Sequence, residues 1–165
     1  MSDLKQFIQL FNPHPGNHFI QVTTNVDETT TALYELLKSV GGELRIAIYG
    51  DENISDIEDK YLDAKVQHIV NFTNPFRALP RDNDMVILKD IFHLHNNQDR
   101  LLKLAYTTLA NAAEIIIMQK KGTMDIEAVI DLLDKYEFRA PNYIDVLPEY
   151  DLVMAKKMHM WGNGL

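Results

Sequence analysis

Short apolar runs alternate along this chain with segments whose apolar positions follow helical spacing. Two runs, at residues 85–88 and 115–118, are unbroken and bounded by charged or polar residues. Unbroken runs of this length are typical of strands that are covered on both faces. Between them, residues 101–109 carry apolar side chains at helical spacing. This pattern predicts a strand, a crossover helix and a second strand, which is the right-handed unit of a parallel sheet.

The same pattern extends over the rest of the chain. It predicts further strands at residues 18–24, 44–49, 68–72, 143–147 and 150–156, and helices at residues 2–11, 27–40, 54–63 and 124–137. Only two residues separate the last two strands, which predicts an antiparallel hairpin. We therefore expect one α/β domain over residues 1–165, with a helix within residues 1–12. Its architecture is a three-layer, Rossmann-like open sheet of about seven strands, mostly parallel, with a C-terminal antiparallel hairpin.

Composition narrows the classes of function. The formal net charge of −8 argues against general binding of nucleic acids or anionic membranes, which needs a basic surface. No apolar run is long enough to predict a membrane span. The absence of cysteine excludes disulfides and thiol chemistry. The first residues lack the order of an export signal, so we expect a cytoplasmic location.

One stretch and the order of the elements resemble the class I S-adenosylmethionine-dependent methyltransferases. Residues 78–120, ALPRDNDMVILKDIFHLHNNQDRLLKLAYTTLANAAEIIIMQK, follow the pattern of small-molecule members of that family. The shared features are a leucine-proline pair, an acidic turn, a strand, a histidine-bearing loop, a helix and a strand. Residues 143–157, YIDVLPEYDLVMAKK, resemble the family's terminal hairpin. The resemblance spans about residues 18–157 and implies methyl transfer from S-adenosylmethionine to a small molecule.

The resemblance also implies where the cofactor lies, at the carboxyl ends of the first strands. Asp51, after the second strand, would accept hydrogen bonds from the ribose hydroxyls, although an ordinary turn residue is an alternative role. Asn71 or Asn74, after the third strand, would meet the adenine amino group. The full set of implied cofactor-binding residues is Thr23, Thr24, Asn25, Asp51, Asn71 and Lys89.

The loop after the first strand departs from the family pattern. The family's loop is rich in glycine, which lets the backbone approach the cofactor, whereas residues 23–28 contain none. Asp27 and Glu28 also place negative charge beside the expected position of the cofactor's carboxylate. Aromatic side chains such as Tyr49 and Phe72 could fill the crevice. Binding of S-adenosylmethionine and a chain without a cofactor therefore both stay open.

Three candidate catalytic residues, Asp90, His93 and His95, follow the fourth strand, whose exit faces the methyl-transfer site in the family. Asp90 or His93 could act as a general base toward a hydroxyl or an amine. The His-x-His pattern also suggests a metal, but two histidines alone are not a site, and we expect none. The alternative role for the histidines is structural, as polar residues at the entry to the next helix.

Two functions follow from these observations. The first is an S-adenosylmethionine-dependent methyltransferase of a small molecule. The second is a catalytically inactive methyltransferase-like domain that serves as a binding or protein-interaction module. A nucleotide-binding regulator is a third reading, which the acidic loop disfavours. The expected partner is a small molecule or a protein, and the apolar tail at residues 158–165 could dock on the chain's own N-terminal helix or form a homodimer.

Overall fold

The computed structural model describes residues 4–50 and 53–158. Its strands are β1 (His18–Thr23), β2 (Glu43–Tyr49), β3 (Lys65–Ile69), β4 (Asn83–Lys89), β5 (Leu109–Lys120), β6 (Phe138–Tyr143) and β7 (Tyr150–Lys157). Its helices are α1 (Leu4–Ile8), α2 (Glu28–Ser39), α3 (Ile54–Lys60), α4 (Gln98–Thr108) and α5 (Ile126–Lys135), with a short 3-10 turn at Phe92–Leu94.

The strands form a seven-stranded sheet in the order β3-β2-β1-β4-β5-β7-β6. The first five strands pair in parallel, and β7 pairs antiparallel to both β5 and β6. The predicted α/β sheet with an antiparallel C-terminal hairpin is confirmed. The chain runs from β1 outward to β3 and then returns to the other side of β1 with β4. The carboxyl ends of β1 and β4 therefore flank the switch point, where open α/β sheets bind their ligands.

Two apolar cores cover the two faces of the sheet. In β4, Met85 and Ile87 belong to the core under α1, α2 and α3, whereas Val86 and Leu88 belong to the core under α4 and α5. Successive side chains of a strand point to opposite faces, so a strand with a core on each side has no polar positions to alternate. This explains the unbroken apolar run at residues 85–88.

The ends of α2 follow from local chemistry. Asp27 is its N-cap, and the helix stops before Gly41, which has a φ of 74°. Glycine reaches this conformation without strain. At Gly42 a Cβ atom would lie 2.8 Å from Leu37 Cδ2 and 2.9 Å from the Asn17 carbonyl oxygen. The glycine pair is thus needed both to end the helix and to let the chain pass close to α2.

The position of the predicted first hairpin strand is wrong. β6 precedes the predicted residues 143–147, and its connection to β7 spans residues 144–149 rather than two residues. Proline has no backbone N–H to donate to a neighbouring strand, so Pro141 predicts an interruption of the strand. However, β6 is an edge strand whose pairing with β7 shifts register between Arg139 and Asn142. An edge position with such an irregularity tolerates proline.

Other boundaries also differ from the prediction. β3 begins three residues before the predicted 68–72. It lies at an edge of the sheet, and the polar residues Lys65 and Gln67 interrupt its apolar pattern, so the sequence signal for this strand is weak. β5 begins at Leu109, and its pairing with β4 shifts register near Asn83 before the apolar run starts. The helices α1, α3 and α5 are shorter than predicted, since helix ends carry few apolar positions that define them.

Some predictions concern residues that the structure does not describe. Asp51 and residues 159–165 lie outside the described ranges, so the roles of Asp51 and of the apolar tail stay predictions. Across residues 4–50 and 53–158, no helix is both long and apolar enough to cross a membrane.

Candidate functional site

The loop after β1 closes on itself without glycine. Thr23 is fully buried, and its hydroxyl donates to the Asn25 carbonyl oxygen at 3.0 Å and accepts from the Asn25 N–H at 3.3 Å. Thr24 Oγ1 lies 3.2 Å from Asn25 Oδ1. No residue in 23–28 has a positive φ. The loop therefore reaches α2 in ordinary backbone conformations, stabilised by threonine and asparagine side chains.

The N-terminus of α2 is capped by the chain's own carboxylate. Asp27 Oδ1 accepts from the Thr29 N–H at 2.9 Å and from the Thr29 hydroxyl at 2.6 Å, while Thr30 Oγ1 accepts from the Asp27 N–H at 3.2 Å. The positive end of a helix attracts an anion, and its first N–H groups need acceptors. Asp27 supplies both the negative charge and a hydrogen-bond acceptor at the N-terminus of α2. An anionic ligand is therefore not required there.

Lys89 is the central residue of the site. Its side chain is fully buried, and its Nζ lies 3.1 Å from Asp27 Oδ2, 3.2 Å from Thr23 Oγ1 and 3.2 Å from the Asn25 carbonyl oxygen. An ammonium has three protons to donate, and these three atoms are acceptors. Lys89 thus ties the end of β4 to the loop after β1 and to the cap of α2.

Asp90 holds the ends of three strands together. Its φ of 58° turns its side chain toward β5 and β7. Its carboxylate accepts from the Lys120 N–H at 3.0 Å and from the Tyr150 hydroxyl at 3.2 Å. Burial, and then the charges of Asp90 and Asp27, raise the pKa of Tyr150, so this hydroxyl keeps the proton it donates. Both oxygens of Asp90 are engaged in bonds within the sheet, and Oδ2 also lies 3.8 Å from Lys89 Nζ.

His95 is buried and hydrogen-bonded through both ring nitrogens. Nδ1 accepts from the Asn97 N–H at 3.0 Å, so Nε2 carries the proton and donates to the Asn74 carbonyl oxygen at 3.0 Å. Burial lowers the pKa of His95, which favours this neutral form. His93 is exposed on the 3-10 turn. Among the described residues, no group of three or more histidine or acidic side chains is arranged to hold a metal ion.

An aromatic cluster of Tyr49, Phe72 and His95 lies beyond the carboxyl end of β2. The ring of Tyr49, fully buried, stacks on Phe72 with centroids 5.1 Å apart and meets His95 edge-on at 5.7 Å. Its hydroxyl donates to the Asn74 carbonyl oxygen at 2.6 Å. Burial raises the pKa of this hydroxyl. The cluster packs the end of β2 against the loops after β3 and β4.

Asn71, the implied adenine contact, instead organises its own turn. It is exposed, and its Oδ1 accepts from the N–H groups of Thr73 and Asn74 at 3.0 and 3.3 Å. Of the predicted site residues, the structure brings together Thr23, Asn25 and Lys89 at the loop after β1, and Asp90 Oδ2 lies 3.8 Å from Lys89 Nζ. It places Asp90, His93 and His95 in three separate environments.

Sequence reasoning missed two members of the site. Gln21 is fully buried in β1; its amide nitrogen donates to Thr29 Oγ1 at 3.1 Å and its oxygen accepts from the Thr30 hydroxyl at 2.5 Å. Tyr150 bonds Asp90 and lies with its ring centroid 6.0 Å from Lys89 Nζ. The sequence does contain a signal for Gln21, because it is a polar residue inside an otherwise apolar strand. It contains no such signal for Tyr150, since aromatic residues are common in strands.

Comparison with known proteins identifies the fold. No family model and no curated sequence matches this chain. Among solved structures, the CurJ carbon methyltransferase matches with a TM-score of 0.75 and 12% identity, over 96% of this chain and 54% of that one. An S-adenosylmethionine-dependent methyltransferase from Aquifex aeolicus matches with a TM-score of 0.72 and 16% identity, over 93% and 89%. This chain has a methyltransferase-like fold.

A third match to this methyltransferase-like fold comes from the complex between the Haloferax volcanii Trm112 methyltransferase activator and a putative methyltransferase. Its TM-score is 0.74 at 10% identity, over 96% of this chain and 89% of that one. The present chain therefore spans about half the length of CurJ but most of the other two. At these identities the likeness concerns the fold and carries no residue roles.

The residues at the switch point can be tested against S-adenosylmethionine. The amino-acid end of this cofactor carries an ammonium and a carboxylate. Here Lys89 already supplies an ammonium to the loop after β1, and Asp27 already supplies a carboxylate to the N-terminus of α2, with 3.1 Å between them. A second carboxylate at this place would meet Asp27, because like charges repel. The residues present do not fit the cofactor in this arrangement.

Proposed function

We propose that this chain is a methyltransferase-like binding module whose own side chains take the place of the cofactor. The buried Lys89 is the observation that carries the proposal. Its ammonium and the Asp27 carboxylate form a pair of charges like that of a free amino acid, anchored at the loop after β1 and at the helix end. The chain thereby satisfies polar groups that a cofactor would otherwise need to satisfy.

The energy of this pair supports exclusion of the cofactor. Breaking a buried ion pair without replacing its partners costs about 3–5 kcal/mol; here Lys89 is fully buried, and the Asp27 side chain is 25% exposed, which favours the lower end of this range. Since about 1.4 kcal/mol changes an equilibrium constant tenfold, a ligand that must displace Lys89 binds about a hundredfold more weakly, or worse. The aromatic cluster around Tyr49 adds a second obstacle at the carboxyl end of β2.

One role of this module would be to bind a partner protein. One of the matching structures is a complex of a putative methyltransferase with its Trm112 activator. This supports assembly with another protein as a use of the same fold. The chain's net charge of −8 is compatible with a protein partner and disfavours nucleic acid.

A second candidate function is methyl transfer from S-adenosylmethionine to a small molecule. The fold of the Aquifex aeolicus enzyme favours it. So does His93, which is exposed at the exit of β4, where an accessible base is needed. In this case Lys89 has to leave Asp27 when the cofactor enters.

Calorimetric titration of the full chain with S-adenosylmethionine and S-adenosylhomocysteine separates the two functions. We expect no binding heat at millimolar ligand, with circular dichroism showing that the protein is folded. Micromolar binding would contradict the binding module and support the enzyme. The matched variant Asp51→Ala then decides whether the ligand occupies the family's site, because loss of the ribose contact would weaken such binding strongly.

A further inference from the structure

A pocket lies on the opposite side of the molecule from α2, away from the switch point. On this face α4 and α5 pack over one half of the sheet, whereas residues 70–82, which contain no helix, cover β1, β2 and β3. A pocket of about 370 Å³ remains between this segment and the strands. That volume lies within the range of small-molecule sites, about 300–1,000 Å³.

The wall of this pocket is fixed by hydrogen bonds. The Gln67 side chain on β3 accepts from the Arg77 N–H and donates to the Arg77 carbonyl oxygen, both at 2.8 Å. Thr108 Oγ1 donates to the Leu79 carbonyl oxygen at 2.7 Å. The Arg81 N–H donates to the Thr107 carbonyl oxygen at 2.9 Å. A wall that is held in place before binding loses little conformational entropy when a ligand enters.

The lining of the pocket combines apolar walls with an excess of positive charge. Ile20, Val66 and Ala78 supply apolar surface. Arg45 also lines the pocket, held by Glu43 Oε2 at 2.7 Å and Asp82 Oδ2 at 2.6 Å.

Two further cations, Lys65 and Arg77, lie exposed at its mouth, and Lys65 Nζ is 3.6 Å from Glu43 Oε1. With Arg45, three cations therefore face two carboxylates, in a chain whose overall charge is negative. Local charge of this sign attracts an anion in spite of the net charge of the chain.

We propose that this pocket binds a small amphiphilic carboxylate. Its apolar chain lies against Ile20, Val66 and Ala78, and its carboxylate lies at the mouth between Lys65 and Arg77. One excess positive charge matches a monoanion better than a dianion such as a phosphate monoester. The pocket and the switch point use different residues, so the inference does not depend on whether the chain binds S-adenosylmethionine.

Octanoate is the probe for this site, measured by calorimetry with the full chain at low ionic strength. Octan-1-ol has the same apolar chain without charge, and octylammonium has the opposite charge. We expect octanoate to bind, octan-1-ol to bind more weakly, and octylammonium to give no signal. Absence of octanoate binding at millimolar concentration would overturn the proposal, and so would equal binding of all three probes.

Substitutions at the pocket and on α4 test whether octanoate binds in the pocket. Arg77→Glu and Lys65→Glu reverse exposed charges at the mouth, and each should weaken octanoate binding at least about tenfold. Lys103→Glu makes the same change on the exposed face of α4 and should leave binding unchanged. Ala78→Trp fills the pocket without a change of charge and should abolish binding; circular dichroism reports whether it folds. Unchanged binding in Arg77→Glu and Lys65→Glu would assign octanoate to another surface and contradict the proposal.

Discussion

The switch-point crevice and the pocket beneath residues 70–82 use basic residues in opposite ways. In the crevice, Lys89 is completely buried and bonded to three acceptors. At the pocket, Lys65 is 74% exposed at the side chain, and Arg77 is exposed as well. In the crevice the cation is enclosed by the carboxylates of Asp27 and Asp90, at 3.1 and 3.8 Å from Lys89 Nζ. At the pocket the cations stay exposed to solvent, with Lys65 paired only at the surface, 3.6 Å from Glu43 Oε1.

Buried and exposed ion pairs also differ in how much they contribute to the free energy of unfolding. An ammonium can be buried only where its partners replace water, and removing one partner of a buried pair is expensive. Exposed ion pairs contribute about 0–1 kcal/mol, because solvent screens them. Charged residues of the crevice are therefore expected to support the fold, whereas those of the pocket mouth can contact a ligand at little cost to the fold.

Replacing Lys89 is expected to have the largest effect. Lys89→Met keeps the apolar stem but leaves Asp27, Thr23 and the Asn25 carbonyl without their donor. We expect the free energy of unfolding to fall by about 3 kcal/mol, measured by urea denaturation. Lys120→Met is the matched control, since its side chain is exposed, and should change stability by less than about 0.5 kcal/mol. Equal losses in the two variants would contradict a structural role for Lys89.

Removing one hydroxyl from the aromatic cluster should have an intermediate effect. Tyr49→Phe deletes the donor to the Asn74 carbonyl oxygen, which still accepts from His95. We expect a loss of about 1 kcal/mol in urea denaturation. Tyr136→Phe, a half-buried tyrosine at the end of α5, is the control. A loss no greater than in this control would mean that the Tyr49 hydroxyl does not fix the loop after β3.

The pH dependence of stability should show the smallest effect. Burial lowers the pKa of His95 below its ordinary value of 6.5, so the unfolded chain binds this proton at a higher pH than the folded chain does. The stability from neutral His95 is therefore present above about pH 6.5 and is lost as the pH falls toward the folded-state pKa.

Urea denaturation at several values of pH between neutral and mildly acidic measures this loss. His95→Asn should reduce the slope of stability against pH, whereas His93→Asn, at an exposed position, should leave it unchanged. A wild-type slope in His95→Asn would show that His95 titrates alike in the folded and unfolded chains.

The sequence predicted the sheet well because the apolar runs of its central strands leave few alternatives. It failed at β6, where Pro141 hides an edge strand, and at β3, where polar residues alternate. Both strands lie at edges of the sheet, where one side of the strand has no partner and the apolar signal is weak.

The candidate site was predicted less completely. The acidic loop without glycine predicts a conflict with a cofactor, and the family resemblance implies that Lys89 is a site residue. Its partner Asp27 lies on another element, so the sequence could not show that the two groups meet at 3.1 Å. The predicted catalytic residues Asp90, His93 and His95 are close in sequence but have different surroundings in the structure. The positive φ at Asp90 and the 3-10 turn that follows send these side chains in different directions.

The Lys89 ammonium can be observed directly. Heteronuclear NMR of isotope-labelled protein detects lysine ammonium groups whose protons exchange slowly with water because they are buried and hydrogen-bonded. The ammonium of Lys157 is also buried and donates to the Tyr106 and Leu109 carbonyl oxygens, so Lys89→Met assigns the signal of Lys89. We expect the Lys89 signal to be present in the wild-type protein, absent in Lys89→Met and unchanged when S-adenosylmethionine is added in excess. Displacement of this signal by the cofactor, or its absence from the wild-type protein, would contradict the claim that Lys89 fills the cofactor's place.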